Sequence, residues 1–244
     1  MVNRQRRTVQ SFVDNVPRAQ QEDPQVAAVI ARFRDLDLDH AGPADLELLR
    51  REVAPLIDRP KPFGRFQGFN DDSLEALIRR HVPELRAYGE IVCPLWGLLP
   101  RFAGAGIETW FLKDENRAFW GPGCCNEDGQ SCFDYAREVL GVDHVTTLSA
   151  MIERGERLDV LGILNFLDHL ASPLELLRRA RSVADTLLIV LVPDFPGGPG
   201  VIQHHTSFDR SVVTRLAREV GLGLAETVPC GDSPEPEFFA YLLA

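Results

Sequence analysis

From residue 88 onward, short apolar runs alternate with amphipathic stretches, and this alternation predicts a parallel sheet flanked by helices. Runs at 90–93, 109–112, 145–148, 159–165 and 186–192 predict five strands. The last of these, TLLIVLV, is rich in Leu, Ile and Val, as suits a strand buried on both faces. Stretches 98–103, 132–140 and 173–183 predict helices between strands, and 210–220 predicts another after the loop DFPGGPG at 194–200. Runs at 222–228 and 238–243, joined by GDSPEPE, predict a closing antiparallel pair. Before residue 88 the period is helical. Apolar positions recur at helical spacing in 26–36, and Leu46, Leu48, Leu49, Val53 and Leu56 form one face behind Asp45. Asp72 or Ser73 caps a further helix through His81. The predicted class is α/β, a doubly wound, mostly parallel seven-stranded sheet with an N-terminal helical region. The boundary falls between 1–87 and 88–244.

Composition narrows the function. The chain has 244 residues, 45% hydrophobic and 25% charged, as in an ordinary globular protein. No apolar run approaches the roughly 18 residues a membrane span requires. The basic N-terminus has no apolar core, so no secretory signal is expected. Five cysteines, an odd number, fit thiols in a reducing compartment, so a cytoplasmic location is expected. Lys and Arg number 26 against 36 Asp and Glu, a net charge of −10. Such a surface repels phosphate backbones, so the expected partner is a small molecule, not nucleic acid.

The stretch LDVLGILNFLDHLASPLELLRRARSVADTLLIVLVPD joins a fourth strand to an Asp168-His169 pair, Pro173, a helix, and a fifth strand ending at Pro193. HHTSFDRSVVTRLAREVGL follows. In both stretches, and over 88–244 as a whole, the chain resembles the class I S-adenosylmethionine-dependent methyltransferase fold, a Rossmann-like architecture. The resemblance implies a cofactor turn between the first strand and its helix, where the family carries an acid and a glycine-rich GxGxG pattern that lets backbone approach the cofactor. Here that turn reads Glu90-Ile91-Val92-Cys93-Pro94-Leu95-Trp96-Gly97. If Gly97 is the last family glycine, Cys93 and Leu95 replace the other two. If Glu90 is the family acid, Val92, Pro94 and Trp96 replace all three. Either register places side chains where the family has none, and proline also removes a donor. Asp114, ending the second strand, matches the acid that holds the ribose hydroxyls in the family, and is equally an ordinary strand-end residue.

The expectation drawn from this turn is a repurposed enzyme with no cofactor. It would cyclise or eliminate on a small biosynthetic intermediate, free or bound to an acidic carrier protein, as aziridine-forming enzymes of this fold do. The alternatives are a working S-adenosylmethionine-dependent methyltransferase and a non-catalytic partner subunit. A hetero- or homodimer stays open. Catalysis is assigned to His204, His205, Asp168 and His169, which the topology places after strands five and four, where imidazoles can move protons near neutral pH. Each is equally a packing or solvent-facing residue by type.

Substrate binding is assigned to Arg65, Asn70 and Asp71 in PKPFGRFQGFNDDS, together with Trp96 and Arg101. Arginine suits a carboxylate, sulfate or phosphate, and Asp71 suits an amine. Asp71, Asp72 and Ser73 are also cap residues for the next helix. The resemblance implies an N-terminal helical region that closes over the substrate as a lid, with a dimer interface as the alternative. Cys124, Cys125 and Cys132 lack zinc-site spacing, so no metal is expected.

Overall fold

The computed structural model describes residues 24–33, 64–65, 70–91, 95–113, 131–164, 166–167, 170, 172–191, 208–230 and 239–244. Helix α1 (Pro24–Phe33) stands in one compact unit, and every other described element stands in a second. Pro24 opens α1, a position where its missing N–H costs nothing. The helix expected at 46–56 lies outside the described residues.

The second unit begins with strand β1 (Gly64–Arg65) and helix α2 (Asp71–His81). It continues through β2 (Ala87–Ile91), β3 (Leu95–Trp96), α3 (Leu99–Gly104), β4 (Glu108–Lys113) and α4 (Cys132–Glu138). Next come β5 (His144–Thr147), α5 (Leu148–Arg154), β6 (Leu158–Leu164), α6 (Pro173–Val183) and β7 (Ala184–Leu191). Helix α7 (Arg210–Glu219), β8 (Leu224–Pro229) and β9 (Phe239–Leu243) close it. Seven strands form one sheet in the order β5-β4-β2-β6-β7-β9-β8. All neighbours are parallel up to β7, while β9 runs antiparallel between β7 and β8.

Both faces of this sheet are apolar, and the period of two along each strand assigns them. Ile91, Trp110, Leu112, Leu161, Ile163, Leu187 and Ile189 pack with α5, α6 and α7. Tyr88, Phe111, Val160, Leu164, Leu188 and Val190 pack with α2, α3 and α4. The sheet is therefore doubly wound, as the sequence predicts. Helix α2 contributes Leu74, Leu77 and Ile78, all fully buried, to the second of these layers. It belongs to the α/β unit.

Two boundaries differ from the sequence expectation. The first strand, Ala87–Ile91, begins three residues before the expected 90, because its ladders to β4 and β6 run through Tyr88 and Gly89. The third strand stops at Thr147, whose hydroxyl accepts from the Ala150 N–H and starts α5. Gly155 ends that helix in the left-handed conformation, φ 67°. No helix was expected at 148–154.

Asn70 caps α2. Its Oδ1 accepts from the Ser73 N–H at 3.0 Å, and its own N–H donates to the Cys230 carbonyl at 2.7 Å. Asn70→Ala is expected to cost about 1 kcal/mol. The urea midpoint should fall with an unchanged m-value. An unmoved midpoint would show that the cap contributes nothing.

Candidate functional site

In a doubly wound sheet, ligands bind beyond the carboxyl ends of the strands, where the strand order reverses. Here the reversal lies between β2 and β6. The chain starts at β2, moves outward to β4 and β5, then returns to place β6 on the other side of β2. The described groups at that point include the ends of β2 and β6, and α3 starts beyond the turn that follows β2.

Glu90 is the exceptional residue there. It sits next to last in β2 and is 1% exposed, on the face shared with α2 and α3. A carboxylate in such a place must find donors or lose its charge. Glu90 finds three. Its Oε1 accepts from the Tyr88 hydroxyl at 2.8 Å and from the Leu98 N–H at 2.6 Å. Its Oε2 accepts from the Gly97 N–H at 2.9 Å. Gly97 and Leu98 lie directly ahead of α3, where helix N–H groups have no partner within the helix. The carboxylate therefore ties the end of the first strand–helix turn to the sheet.

Burial raises the Glu90 carboxyl above the ordinary glutamate range, opposed by the donors from Gly97, Tyr88 and Leu98, with the charge of Asp71 raising it further. The Tyr88 phenol is pushed well above its usual value, first by burial and then by the adjacent Glu90 charge. Two glycines make the space. A Cβ on Gly97 would collide with Leu164 Cδ1 and lie 3.3 Å from Glu90 Oε1. A Cβ on Gly162, which pairs with Glu90 across β6, would lie 2.7 Å from the Tyr88 hydroxyl.

Glu90 and Gly97, one residue from each reading of the turn, are thus joined by a hydrogen bond. Between them, β3 pairs in parallel with β1, Arg65 opposite Trp96. The segment carrying Arg65 therefore lies beside the first turn. Asp71, the first residue of α2, is close enough for its charge to act on both Tyr88 and Glu90. Asn70 spends its side-chain oxygen on the cap. Arg101, on α3, pairs with Asp72 at 2.7 Å and with Glu75, and it is 41% exposed. Glu75 is held below the usual carboxylate range, chiefly by Arg79, and Arg101 adds to the effect. The Arg101 guanidinium is thus already shared between two carboxylates.

His204, His205, Asp168, His169, Asp114, Cys124 and Cys125 lie outside the described residues. Cys132 begins α4. Among the described residues no group of His, Cys, Asp and Glu could hold a metal ion, and no helix is long and apolar enough to cross a membrane. Tyr88 is the residue that reading the sequence missed. Its signal was a Tyr and a Glu two apart, and so on one face, in a strand otherwise apolar or glycine.

No family model and no curated protein matches the chain. Solved structures do. Magnesium protoporphyrin IX methyltransferase from Synechocystis PCC 6803 with bound S-adenosylmethionine is 13% identical over 90% of this chain and 95% of that one, with a TM-score of 0.44. The same enzyme with bound S-adenosylhomocysteine gives 16% identity over 71% and 80%, with a TM-score of 0.45. An S-adenosylmethionine-dependent methyltransferase from Clostridium acetobutylicum ATCC 824 gives 8% identity over 71% and 89%, with a TM-score of 0.49. These findings correct the expectation of a chain with no cofactor: the solved chains it resembles include one enzyme seen with S-adenosylmethionine and with S-adenosylhomocysteine. Numbering the strands of the large sheet from one to seven in chain order gives 3-2-1-4-5-7-6 with the seventh antiparallel, and the chain has a class I methyltransferase-like fold.

Proposed function

We propose that the chain binds S-adenosylmethionine and methylates a small molecule at oxygen or nitrogen. The observation that carries this reading is the Glu90 anchor, a buried carboxylate fixing the first strand–helix turn beside the point where strand order reverses. The described residues fit such a cofactor at the base of the turn. Glu90 gives both oxygens to Tyr88, Gly97 and Leu98, so its part is to hold the turn. Asp114, one residue beyond the end of β4, would hold the ribose hydroxyls.

The cofactor, when bound, supplies an electrophilic methyl group. The acceptor hydroxyl or amine must give up a proton as it takes the methyl group, so the chain must supply a base. His204 or His205 is the base for that step, taking the proton from an acceptor hydroxyl or amine. Arg65, beside the turn, suits an anionic group on the acceptor.

Calorimetric titration with S-adenosylhomocysteine tests the reading. Micromolar binding is expected, weakened at least about tenfold by Asp114→Ala, the scale of losing charge-assisted hydrogen bonds. A folded chain that takes up no ligand at millimolar concentration would sink the proposal. His204→Ala with His205→Ala should leave that affinity intact while removing turnover of the acceptor. Unchanged turnover would remove both histidines from the reaction.

A further inference from the structure

We infer that Tyr88 is a positioning residue for the first strand–helix turn, acting through Glu90: its hydroxyl selects the carboxylate orientation in which one oxygen meets each of the Gly97 and Leu98 N–H groups. The effect on cofactor affinity rests on the function proposed above. The effect on the turn does not.

The terminal torsion of a glutamate is broad, so burial alone leaves the plane of its carboxylate poorly fixed. Two N–H groups from successive residues demand one particular plane. The Tyr88 hydroxyl supplies the third point. It donates to Oε1 at 2.8 Å, the oxygen that also receives the Leu98 N–H, and this leaves Oε2 for Gly97. Tyr88 is itself held. It is fully buried, and its ring packs on Phe102 with centroids 4.5 Å apart at 57°. Phe102 lies on α3, the helix whose start Glu90 holds. One side chain therefore touches α3 through its ring and sets the anchor of that helix through its hydroxyl. Gly162 on β6 leaves the slot in which hydroxyl and carboxylate meet. From α2, Asp71 adds a charge that acts on both groups.

The test uses the full chain, S-adenosylhomocysteine and amide hydrogen exchange. Without ligand, Tyr88→Phe should speed exchange at Gly97 and Leu98 about tenfold, the scale of one lost hydrogen bond to a charged group, and leave α7 unchanged. Tyr88→Phe should weaken the ligand about tenfold as well. The double variant with Glu90→Gln should bind no more weakly than Glu90→Gln alone, because both act through one carboxylate. The pH profile of binding gives a readout that loss of packing would not move. Removing a donor from the ionised carboxylate makes it take up its proton at higher pH, so the acid limb should shift upward. Unchanged exchange at Gly97 and Leu98 would overturn the inference, whatever happens to affinity. If the parent chain binds no S-adenosylhomocysteine, the proposed function falls and the exchange rates alone decide the role of Tyr88. Should Tyr88→Phe not fold, Gly162→Ala displaces the hydroxyl without removing it and is read in the same way.

Discussion

Glu90→Ala is expected to lower the unfolding free energy by about 4 kcal/mol, a loss in the range of breaking a buried charged contact. Removing the carboxylate strands three buried donors, the N–H groups of Gly97 and Leu98 and the Tyr88 hydroxyl. Each then bears its full desolvation cost, which exceeds the net worth of an ordinary hydrogen bond. The missing side chain also leaves a void on the face of β2 that packs with α2 and α3. Glu90→Gln should cost less. Its amide oxygen can still accept, but its NH2 must point at one of the N–H groups. Urea unfolding of the three proteins ranks them: parent most stable, Gln next, Ala last. Equal stability of Ala and parent would mean that the turn is held by something other than this carboxylate.

The same pair of proteins isolates a pH dependence whose sign is fixed. Burial raises the folded pKa of Glu90 above its unfolded value. Below the unfolded value the group is neutral in both states and its contribution is fully present. As pH rises through the raised folded value, the buried charge must form and part of that contribution is lost. The stability difference between parent and Glu90→Gln should therefore shrink as pH rises from the ordinary glutamate range. Asp143 behaves in the opposite sense. Its pKa is lowered, first by the Thr109 N–H, so its contribution is present at neutral pH and lost on acidification. Subtracting one unfolding curve from the other removes Asp143 and leaves Glu90. A difference that grew with pH would mean that the three donors outweigh burial.

Why the sheet was legible in the sequence, while its anchor was not, follows from the kinds of interaction involved. TLLIVLV suits a strand buried on both faces, DVLGILN reads as a further strand, and the helices expected between the runs imply parallel pairing. The antiparallel end was legible in the short turn between the last two runs. Helix α5 was missed because it spans seven residues and its cap Thr147 reads equally well as the end of a strand. At the site, Glu90 could be recognised as an acid at the right place, but its partners lie seven and eight residues away across a turn. Hydrogen bonding of that range leaves no period in the sequence. Reading the turn as crowded rested on counting absent glycines. Counting could not show that Gly97 is the residue packed against Leu164 and Glu90, nor that Gly162, on another strand, serves the same carboxylate. Arg101 suits an anion by type, and its place on α3 gives it Asp72 and Glu75 as partners, which the sequence does not show.

Gly162→Val is expected to cost about 3 kcal/mol, the upper end of what overpacking a filled core does. Even the Cβ would stand 2.7 Å from the Tyr88 hydroxyl and 3.2 Å from Glu90 Cγ, and valine adds two methyl groups beyond it. The strand cannot yield, because Gly162 is paired with Glu90 on one side and Leu188 on the other. The tyrosine cannot swing to solvent, because it is fully buried against Phe102. The hydroxyl and carboxylate must therefore part, and the Gly97 and Leu98 N–H groups lose the geometry of their acceptor. Gly104→Ala is the matched control. It ends α3 with nothing within 4 Å of a new Cβ, so it should be neutral or slightly stabilising. Coupling separates crowding of the hydroxyl from a general intolerance of the strand. Gly162→Ala should cost less in a Tyr88→Phe background, where the atom it strikes is gone, than in the parent. Equal costs in the two backgrounds would show that Gly162 serves the strand itself and not the Tyr88–Glu90 pair.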